Sequence, residues 1–521
     1  MTTDRHQVRH QARPQACLTC KSRKKKCNRA FPCSYCILKD LECHYVPPPR
    51  RRVYATPTTD SPSQSVHYSE PLTAEPHGFE SVPRRTKARI YFRHPECLDE
   101  IHPKVQNIIQ STGEFVDDLT AHYFKNFHRH LPIISRARFQ DNLLGAGGEP
   151  PRADHSVLLL TICLIAYQPN PDQVTPERNP PVIGRQSLYL ATKALLAQVQ
   201  GLLEYSISLI QSSLLLAAHE YANGRPQVAL VTISGCARMA YAAGIHDIWR
   251  RNMSGISVTE VQEAANIWWG IVMFERAIIC EINGGFEQPM ATIVPSGDTQ
   301  LPLDREILDR RELSLEAVPN IPVASWTATN ICGFGRAAQA TCLLDQVIRG
   351  LLVPDLNSRL PLLESLDRAI QSLLTLILPQ SNPRCPWPYC TSLAIAVKAL
   401  YTLHNHIINI QPPQTSINAN LRPLEDWKSA SLAALDTTTR MLVDMAKYLT
   451  TTKIVDATKA VSPIHIYEIQ AALDYMRFRE EGGDSPWDEG AAEGLQVYLD
   501  TIRIPWVGLQ SYSHNPLPIY T

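Results

Sequence analysis

The sequence predicts two unequal parts: a small metal-stabilised N-terminal module with two short helices, and a large all-α domain. Three observations support this division. Six of the 14 cysteines lie between residues 17 and 43. Residues 47–89 hold eight prolines and show no apolar periodicity, which predicts a disordered linker. From about residue 114 onward, apolar residues recur at the three-to-four spacing that is typical of amphipathic helices.

Charge is distributed unevenly along the 521-residue chain, although the formal total is zero. Residues 1–52 carry 13 Lys and Arg against 3 Asp and Glu, so the remaining residues carry a net −10. A basic head on an acidic body predicts a polyanionic partner at one end only. The N-terminus has no apolar signal-peptide core, and the longest apolar run, from Val157, is too short to cross a bilayer. We therefore expect a reducing compartment and no membrane span.

The N-terminal cysteines form two near-copies of one spacing, Cys-x2-Cys-x6-Cys, joined by a short loop. They are Cys17, Cys20, Cys27, Cys33, Cys36 and Cys43. Thiolates at this spacing favour zinc, because soft sulfur ligands select it. A single tetrahedral ion would leave two cysteines over, whereas two ions are fully ligated if two cysteines bridge. The repeat makes Cys17 and Cys33 the natural bridges. A disulfide scaffold, a single-zinc site and an iron–sulfur cluster are the alternatives.

This spacing resembles that of the fungal binuclear zinc-cluster transcription factors, which carry a basic stretch between the second and third cysteines. Here the stretch is KSRKKK, from Lys21 to Lys26. The resemblance implies that the first short helix enters the DNA major groove. Arg23 and Lys24 then match base-contacting positions, Lys21 and Lys26 match phosphate-facing positions, and Lys25 belongs to the same basic surface. A preference for CGG triplets is implied as well, since Arg and Lys commonly contact guanine O6 and N7.

Helical periodicity continues through the body of the chain. A first amphipathic face begins near Glu114 and contains Phe115, Val116 and Leu119. Between later helices, Pro226 is expected to start one helix and Gly244 to end it. The module is thus expected at 15–46, the linker at 47–89 and one all-helical domain at 90–515. The further helical segments are predicted at about 187–199, 203–221, 226–243, 259–282, 333–349, 361–378, 388–409, 425–448 and 465–479.

Three stretches of the body, 122–139, 213–246 and 263–293, resemble the middle homology region of the same family. The resemblance implies a regulatory domain that senses a metabolite or masks an activating segment; a helical core without a ligand is the alternative. Trp268 and Trp269 belong to a helix whose apolar residues nearly surround it, so we expect deep burial. Glu275 and Arg276 are expected to form a buried ion pair.

Partners beyond DNA follow less directly. Family members usually dimerise through a coiled coil just after the cluster, and the sequence there lacks an apolar heptad repeat. We therefore expect either a homodimer through the helical domain or a monomer beside another protein. Coactivators or corepressors and a small-molecule effector are further expected partners. Three basic segments, KSRKKK, PPPRRRVY and PRRTKAR, predict a location in the nucleus.

The sequence contains no P-loop, no dinucleotide-binding glycine pattern and no nucleophile-elbow or zinc-protease motif, so we expect no enzymatic activity. His122, His128 and His130 do not share one helical face, which argues against a metal site. The acidic segment 479–494, with Trp487, could recruit coactivators or be a surface loop. We therefore predict a sequence-specific transcription factor of the RNA polymerase II type for metabolic or secondary-metabolite genes. The alternatives are a zinc-containing protein-interaction coregulator that does not bind DNA, and a metabolic sensor that retains catalysis.

Overall fold

The computed structural model describes residues 18–23, 25–27, 34–39, 41, 98–144, 149–168, 182–250, 257–310, 313, 318–380, 387–411, 424–452, 461–483 and 486–507. The chain divides into two compact units, Met1–Arg89 and Ile90–Thr521. In the described ranges the regular structure is helical, and an isolated β-bridge pairs Gln300 with Pro322. The predicted all-α class of the body is confirmed.

The first unit contains two five-residue helices, α1 (Leu18–Ser22) and α2 (Ser34–Leu38). The helices of the second unit are, in chain order, α3 (Ile101–Gln110), α4 (Val116–Lys125), α5 (Arg136–Leu144), α6 (Ala153–Ala166), α7 (Arg185–Leu202), α8 (Ile207–Ala222), α9 (Pro226–Ala243), α10 (Val258–Ile279), α11 (Arg305–Leu308), α12 (Gly333–Leu351), α13 (Leu356–Gln380), α14 (Cys390–Ile408), α15 (Leu424–Thr451), α16 (Pro463–Glu481) and α17 (Ala491–Val507). Short 3-10 turns lie at Phe127–Arg129, Ile245–Arg250, Gly285–Glu287 and Trp387–Tyr389. Among the described helices, none has the length and hydropathy that a membrane span requires.

The nine helical segments predicted between residues 187 and 479 all correspond to helices, with ends within five residues of those observed. The clearest match is α9, which begins at Pro226 and ends before Gly244. Gly244 has φ 69°, and Gly224, between α8 and α9, has φ 71°. Glycine populates this left-handed region at little cost, so these two positions end their helices sharply.

Phe115 departs from the prediction for the first amphipathic face. Its backbone is extended, with φ −84° and ψ 143°, and it precedes α4 as the N-cap residue. The ring is 77% exposed, whereas Leu119 and Tyr123 are buried. The periodicity identified the helix correctly but included Phe115, which precedes the first helical residue and therefore lies off the buried face.

The core of the second unit forms around α10. This helix begins with a capping box, in which the Ser257 hydroxyl accepts from the Glu260 N–H and the Glu260 carboxylate accepts from the Ser257 N–H. It then packs against α8, α9 and α12, and the expected deep burial of Trp268 and Trp269 is confirmed. The backbone of α10 packs closely against Leu131 at Gly270, because a Cβ atom at this position would lie 2.8 Å from Leu131 Cδ1.

The expected buried pair of Glu275 and Arg276 is confirmed, and it belongs to a larger network. Arg276 Nε donates to Asp345 Oδ1 of α12 at 2.7 Å, and its Nη2 donates to the Thr292 carbonyl at 3.0 Å. Arg276 Nη1 donates to Glu275 Oε2, which also accepts from the Thr292 N–H at 3.1 Å. One guanidinium thus joins α10, α12 and the segment around residue 292.

Replacing Arg276 tests how much the body depends on this network. Arg276→Leu leaves the Glu275 carboxylate buried without its cation and removes one of the two cations that pair with Asp345, so we expect the free energy of unfolding to fall by about 3–5 kcal/mol. Urea denaturation followed by far-ultraviolet circular dichroism measures the change.

Arg349 supplies a matched control, because its Nε donates to the other oxygen of Asp345 at 2.7 Å while its side chain is 60% exposed. Arg349→Leu is expected to cost about 1 kcal/mol or less, as is usual for exposed ion pairs. Equal losses in the two variants would contradict the argument from burial.

Candidate metal centre and nucleic-acid interface

The two short helices of the first unit repeat one local structure at an interval of 16 residues. Cys20 in α1 and Cys36 in α2 occupy equivalent positions, and both are fully buried. After each helix, an N–H five residues further on donates to the cysteine carbonyl. Lys25 N donates to Cys20 O at 3.0 Å, and Leu41 N donates to Cys36 O at 2.9 Å. The backbone therefore follows the same internal repeat as the cysteine spacing.

The described interior of this unit consists largely of sulfur. The buried residues are Cys20 and Cys36, and Cys27, Tyr35 and Leu41 pack against them partly buried. So few apolar contacts do not stabilise a fold of this size, which needs disulfides, metal ions or a partner. Among the described residues of this unit, no carboxylate packs against the buried thiols, and such a donor set fits zinc. The donor chemistry of the described residues is therefore compatible with a zinc centre.

Half of the predicted ligand set, Cys17, Cys33 and Cys43, lies outside the described residues. Accordingly, no group of three Cys, His, Asp or Glu side chains arranged for a metal ion occurs in the part of the chain that the structure describes. The coordination geometry of the six-cysteine set therefore stays a prediction.

The basic stretch follows Cys20 directly. Lys21, Arg23, Lys25 and Lys26 are exposed, and Lys24 lies outside the described residues. The N–H of Arg23 donates to the Thr19 carbonyl at 3.3 Å, which closes the last turn of α1. The cations therefore lie on and just after an ordered helical turn, with their side chains directed to solvent.

Charge breaks the symmetry of the internal repeat. Between its second and third cysteines, the first copy reads KSRKKK, with five cations, whereas the second reads ILKDLE, with one cation and two carboxylates. Leu38 in the second copy is exposed, and Ser22 is its counterpart in the first. Two similar scaffolds therefore present opposite charge, and only the first is suited to a polyanion.

Two of the body stretches that resemble the middle homology region, 122–139 and 263–293, meet around Glu263 of α10, together with Gln211 of α8. Its Oε1 accepts from the Ser135 N–H at 2.9 Å and from Gln211 Nε2 at 3.0 Å. Its Oε2 pairs with Arg138, which also contacts Glu260 at 2.9 Å. Burial raises the pKa of Glu263, while Arg138 and the Ser135 N–H act in the opposite direction. One carboxylate thus joins α10 to α8 and to the segment before α5.

The three histidines of the stretch 122–139 contact three separate groups. His122 Nδ1 lies 3.1 Å from the Ala166 carbonyl, His128 Nε2 lies 3.5 Å from Asp309 Oδ1, and His130 Nδ1 lies 3.3 Å from Thr391 Oγ1. Burial lowers the pKa of His130 to about 3, so that this side chain is neutral. Each histidine thus contacts a different part of the body, as side chains packed in a protein interior do.

Trp487, in the acidic segment, is partly buried and packs edge-on against Tyr475 of α16, with ring centroids 6.4 Å apart. Arg479, at the start of the segment, donates to Asp436 Oδ2 of α15 at 3.2 Å. The start and the middle of this segment are therefore packed onto neighbouring helices, which agrees better with a surface element of the body than with a freely presented activating peptide.

Sequence reasoning did not single out two charged residues of the body, Lys398 in α14 and Glu468 in α16. Both are at least nine-tenths buried. The signal is present in the sequence, because each interrupts an otherwise apolar helical stretch, AIAVKALY and IHIYEIQAAL. Charges at such positions are almost never buried unless they are paired.

Comparison with known proteins agrees with this geometry. A family model described as the fungal Zn(2)-Cys(6) binuclear cluster domain matches residues 15–52, and one described as the fungal specific transcription factor domain matches residues 120–282. The second match contains the stretches 122–139 and 213–246 and ends within 263–293.

Relatives among characterised proteins carry the same description. Transcription factor BOA15 of Botryotinia fuckeliana is 32% identical over 132 residues, which cover 25% of this chain and 68% of BOA15. Transcription factor kojR, in both Aspergillus flavus and Aspergillus oryzae, is 24% identical over 175 residues, or 29% of this chain. The matched part spans 31% of kojR, about a third of that protein.

Proposed function

The chain belongs to the fungal binuclear zinc-cluster transcription factors, and on that basis we propose that it regulates RNA polymerase II transcription by reading CGG-like triplets through α1. The cluster domain of this family holds two zinc ions through its cysteines. The observation that carries the proposal is the exposed basic turn built directly on a fully buried cysteine, Cys20. The genes it controls are proposed to be metabolic or secondary-metabolite genes.

The proposed ligands are Cys17, Cys20, Cys27, Cys33, Cys36 and Cys43, with Cys17 and Cys33 as bridges. The 16-residue repeat of α1 and α2 supports this assignment, because it gives each half three equivalent cysteines. The zinc ions supply cross-links that hold the two halves together. The polypeptide supplies the orientation of α1, and with it the direction of the basic side chains.

DNA contacts are proposed for the basic turn. Arg23 and Lys24 are assigned to base edges in the major groove, and Lys21, Lys25 and Lys26 to phosphates. The acidic character of ILKDLE in the second half supports the choice of the first half, because two carboxylates near phosphates would repel them.

The remaining assignments concern the whole chain. The proposed organisation is a DNA-binding module at 15–46, a linker at 47–89 and a regulatory domain at 90–515, acting in the nucleus. A homodimer through the helical domain, and coactivators or corepressors, are the proposed protein partners. No catalytic role is proposed.

Removing zinc tests the metal assignment. Structural zinc contributes on the order of 10–16 kcal/mol of apparent binding energy in small modules, more than the few apolar contacts of this unit supply. A strong chelator is therefore expected to abolish DNA binding while the helical circular dichroism signal of the body persists.

Cysteine variants locate the effect of zinc. Cys36→Ser is expected to lose bound zinc, measured by native mass spectrometry, whereas Cys332→Ser, in the body, is expected to keep two ions per chain. DNA binding that persists in excess chelator would contradict the proposal.

Salt dependence tests direct DNA recognition. About four to six phosphate contacts predict a slope of log K against log salt near −4 to −5. Fluorescence anisotropy with a CGG-containing duplex and a scrambled duplex of equal length measures slope and preference together. A shallow slope without triplet preference would instead indicate the coregulator that does not bind DNA.

Two lysines separate base reading from phosphate binding. Lys24→Ala is expected to relax discrimination at one base pair by about 1–3 kcal/mol. Lys21→Ala is expected to weaken binding to all sequences alike and to make the salt slope shallower by about 1. The same anisotropy titrations give both quantities, and interchangeable behaviour of the two variants would refute the assignment of roles.

A further inference from the structure

A cavity of about 370 Å³ lies in the helical body where the end of α10 meets α14 and α16. Pockets that bind small molecules have volumes of about 300–1,000 Å³, so this cavity has room for a compact ligand. Phe286, Tyr401 and Ala471 form the less polar part of its wall. Asn405 and Asn409, which are exposed, line it at the surface side.

Three charged side chains line the same cavity: Glu281, Lys398 and Glu468. The Lys398 ammonium forms an ion pair with Glu281 Oε1. Burial lowers the pKa of Lys398, but Glu281, together with Cys280 and Glu468, raises it, and the net shift is upward. Lys398 therefore stays charged, and Glu281 is its counter-ion.

Glu468 is left with one oxygen unmatched. The residue is 1% exposed, and its Oε2 lies 3.2 Å from His465 Nδ1. Within the described residues, its Oε1 has no hydrogen-bond partner. A buried carboxylate oxygen without a donor is costly, because the water that it gave up on folding is not replaced. Burial accordingly raises the pKa of Glu468, with His465 and Lys398 acting in the opposite direction.

Besides Lys398, His406 is the side chain of this wall that can carry a positive charge, and it does not supply a second cation for the carboxylates. His406 is half-buried, and burial followed by the nearby Arg359 lowers its pKa. Its Nε2 lies 3.1 Å from Arg359 Nη1. The cavity wall thus offers two carboxylates against one ammonium.

We propose that this cavity is a binding site for a compact molecule that carries a primary ammonium group. The ammonium donates to Glu468 and supplies the countercharge that the wall lacks, while the rest of the molecule packs against Phe286 and Tyr401. Because the site lies wholly in the helical body, this proposal is independent of DNA recognition by α1.

Three probes of similar size separate ammonium recognition from simple filling of the cavity. Tyramine carries the ammonium, tyrosol has a hydroxyl at the same position, and 4-hydroxyphenylacetate has a carboxylate. Isothermal titration calorimetry of the full-length protein, with each probe at millimolar concentrations, gives the affinities. We expect tyramine to bind tighter than tyrosol by about tenfold or more, since charge-assisted hydrogen bonds are roughly twice as strong as neutral ones. Ethanolamine and tryptamine extend the amine series to smaller and larger bodies.

Two variants locate the binding. Glu468→Gln keeps the side-chain shape but removes the charge, so the preference for tyramine over tyrosol is expected to vanish. Ala471→Phe fills the cavity without altering its charges and is expected to abolish binding of both probes. Glu480→Gln is the matched control, because it makes the same change at an exposed position of α16. Far-ultraviolet circular dichroism confirms that each variant is folded.

The outcomes are decisive in either direction. The site is supported if the preference for tyramine over tyrosol vanishes in Glu468→Gln, tyramine binding is lost in Ala471→Phe, and both are kept in Glu480→Gln. Failure of all three amines to bind, tighter binding of 4-hydroxyphenylacetate, or tyramine affinity that is unchanged in Ala471→Phe would overturn it. Zinc content and DNA affinity, measured on the same samples, report separately on the proposed function.

Discussion

Helix α10 is buried on nearly every side, and this burial imposes the arrangement of the elements around it. A polar group on a fully buried helix must find its partner in another element, because water does not reach it. Glu263 takes donors from Ser135, Arg138 and Gln211. Asn266 donates to the carbonyls of Pro132 and Leu303, at 2.7 and 2.9 Å. The contacts with Pro132, Ser135 and Leu303 fix segments that have no regular structure of their own.

The first unit, unlike the helical body, is not held together by apolar burial. Its described interior is too small to be stabilised by apolar burial, and its two fully buried residues are cysteines. Order in such a unit depends on ligands rather than on packing, so the backbone is free to repeat the same turn twice. The repeat constrains the buried cysteines but leaves the surface residues free to differ between the two halves. The stretches KSRKKK and ILKDLE accordingly differ in charge. Scaffold and interface are therefore encoded by different positions of the same short segment.

Sequence patterns identified the structural features that depend on residues close together in the sequence. Pro226 and Gly244 delimit α9 because each acts through its own backbone, and the apolar residues around Trp268 indicate burial wherever the helix packs. Helix α6 was not predicted. Twelve of its 14 residues are buried, so no polar face gave it a helical period. The ion pair of Lys398 with Glu281 joins residues 117 positions apart, and no local pattern predicts such a contact.

The cavity beside Lys398 depends on the same central helix. Glu281 lies just beyond Cys280, the C-cap residue of α10, whereas Lys398 belongs to α14 and Glu468 belongs to α16. The three charges therefore come from three separate elements that meet at the cavity. A molecule that binds only when these elements are together stabilises that arrangement by mass action, in proportion to its concentration relative to its dissociation constant. Occupancy of the proposed site would therefore favour one packing of the helical body over others.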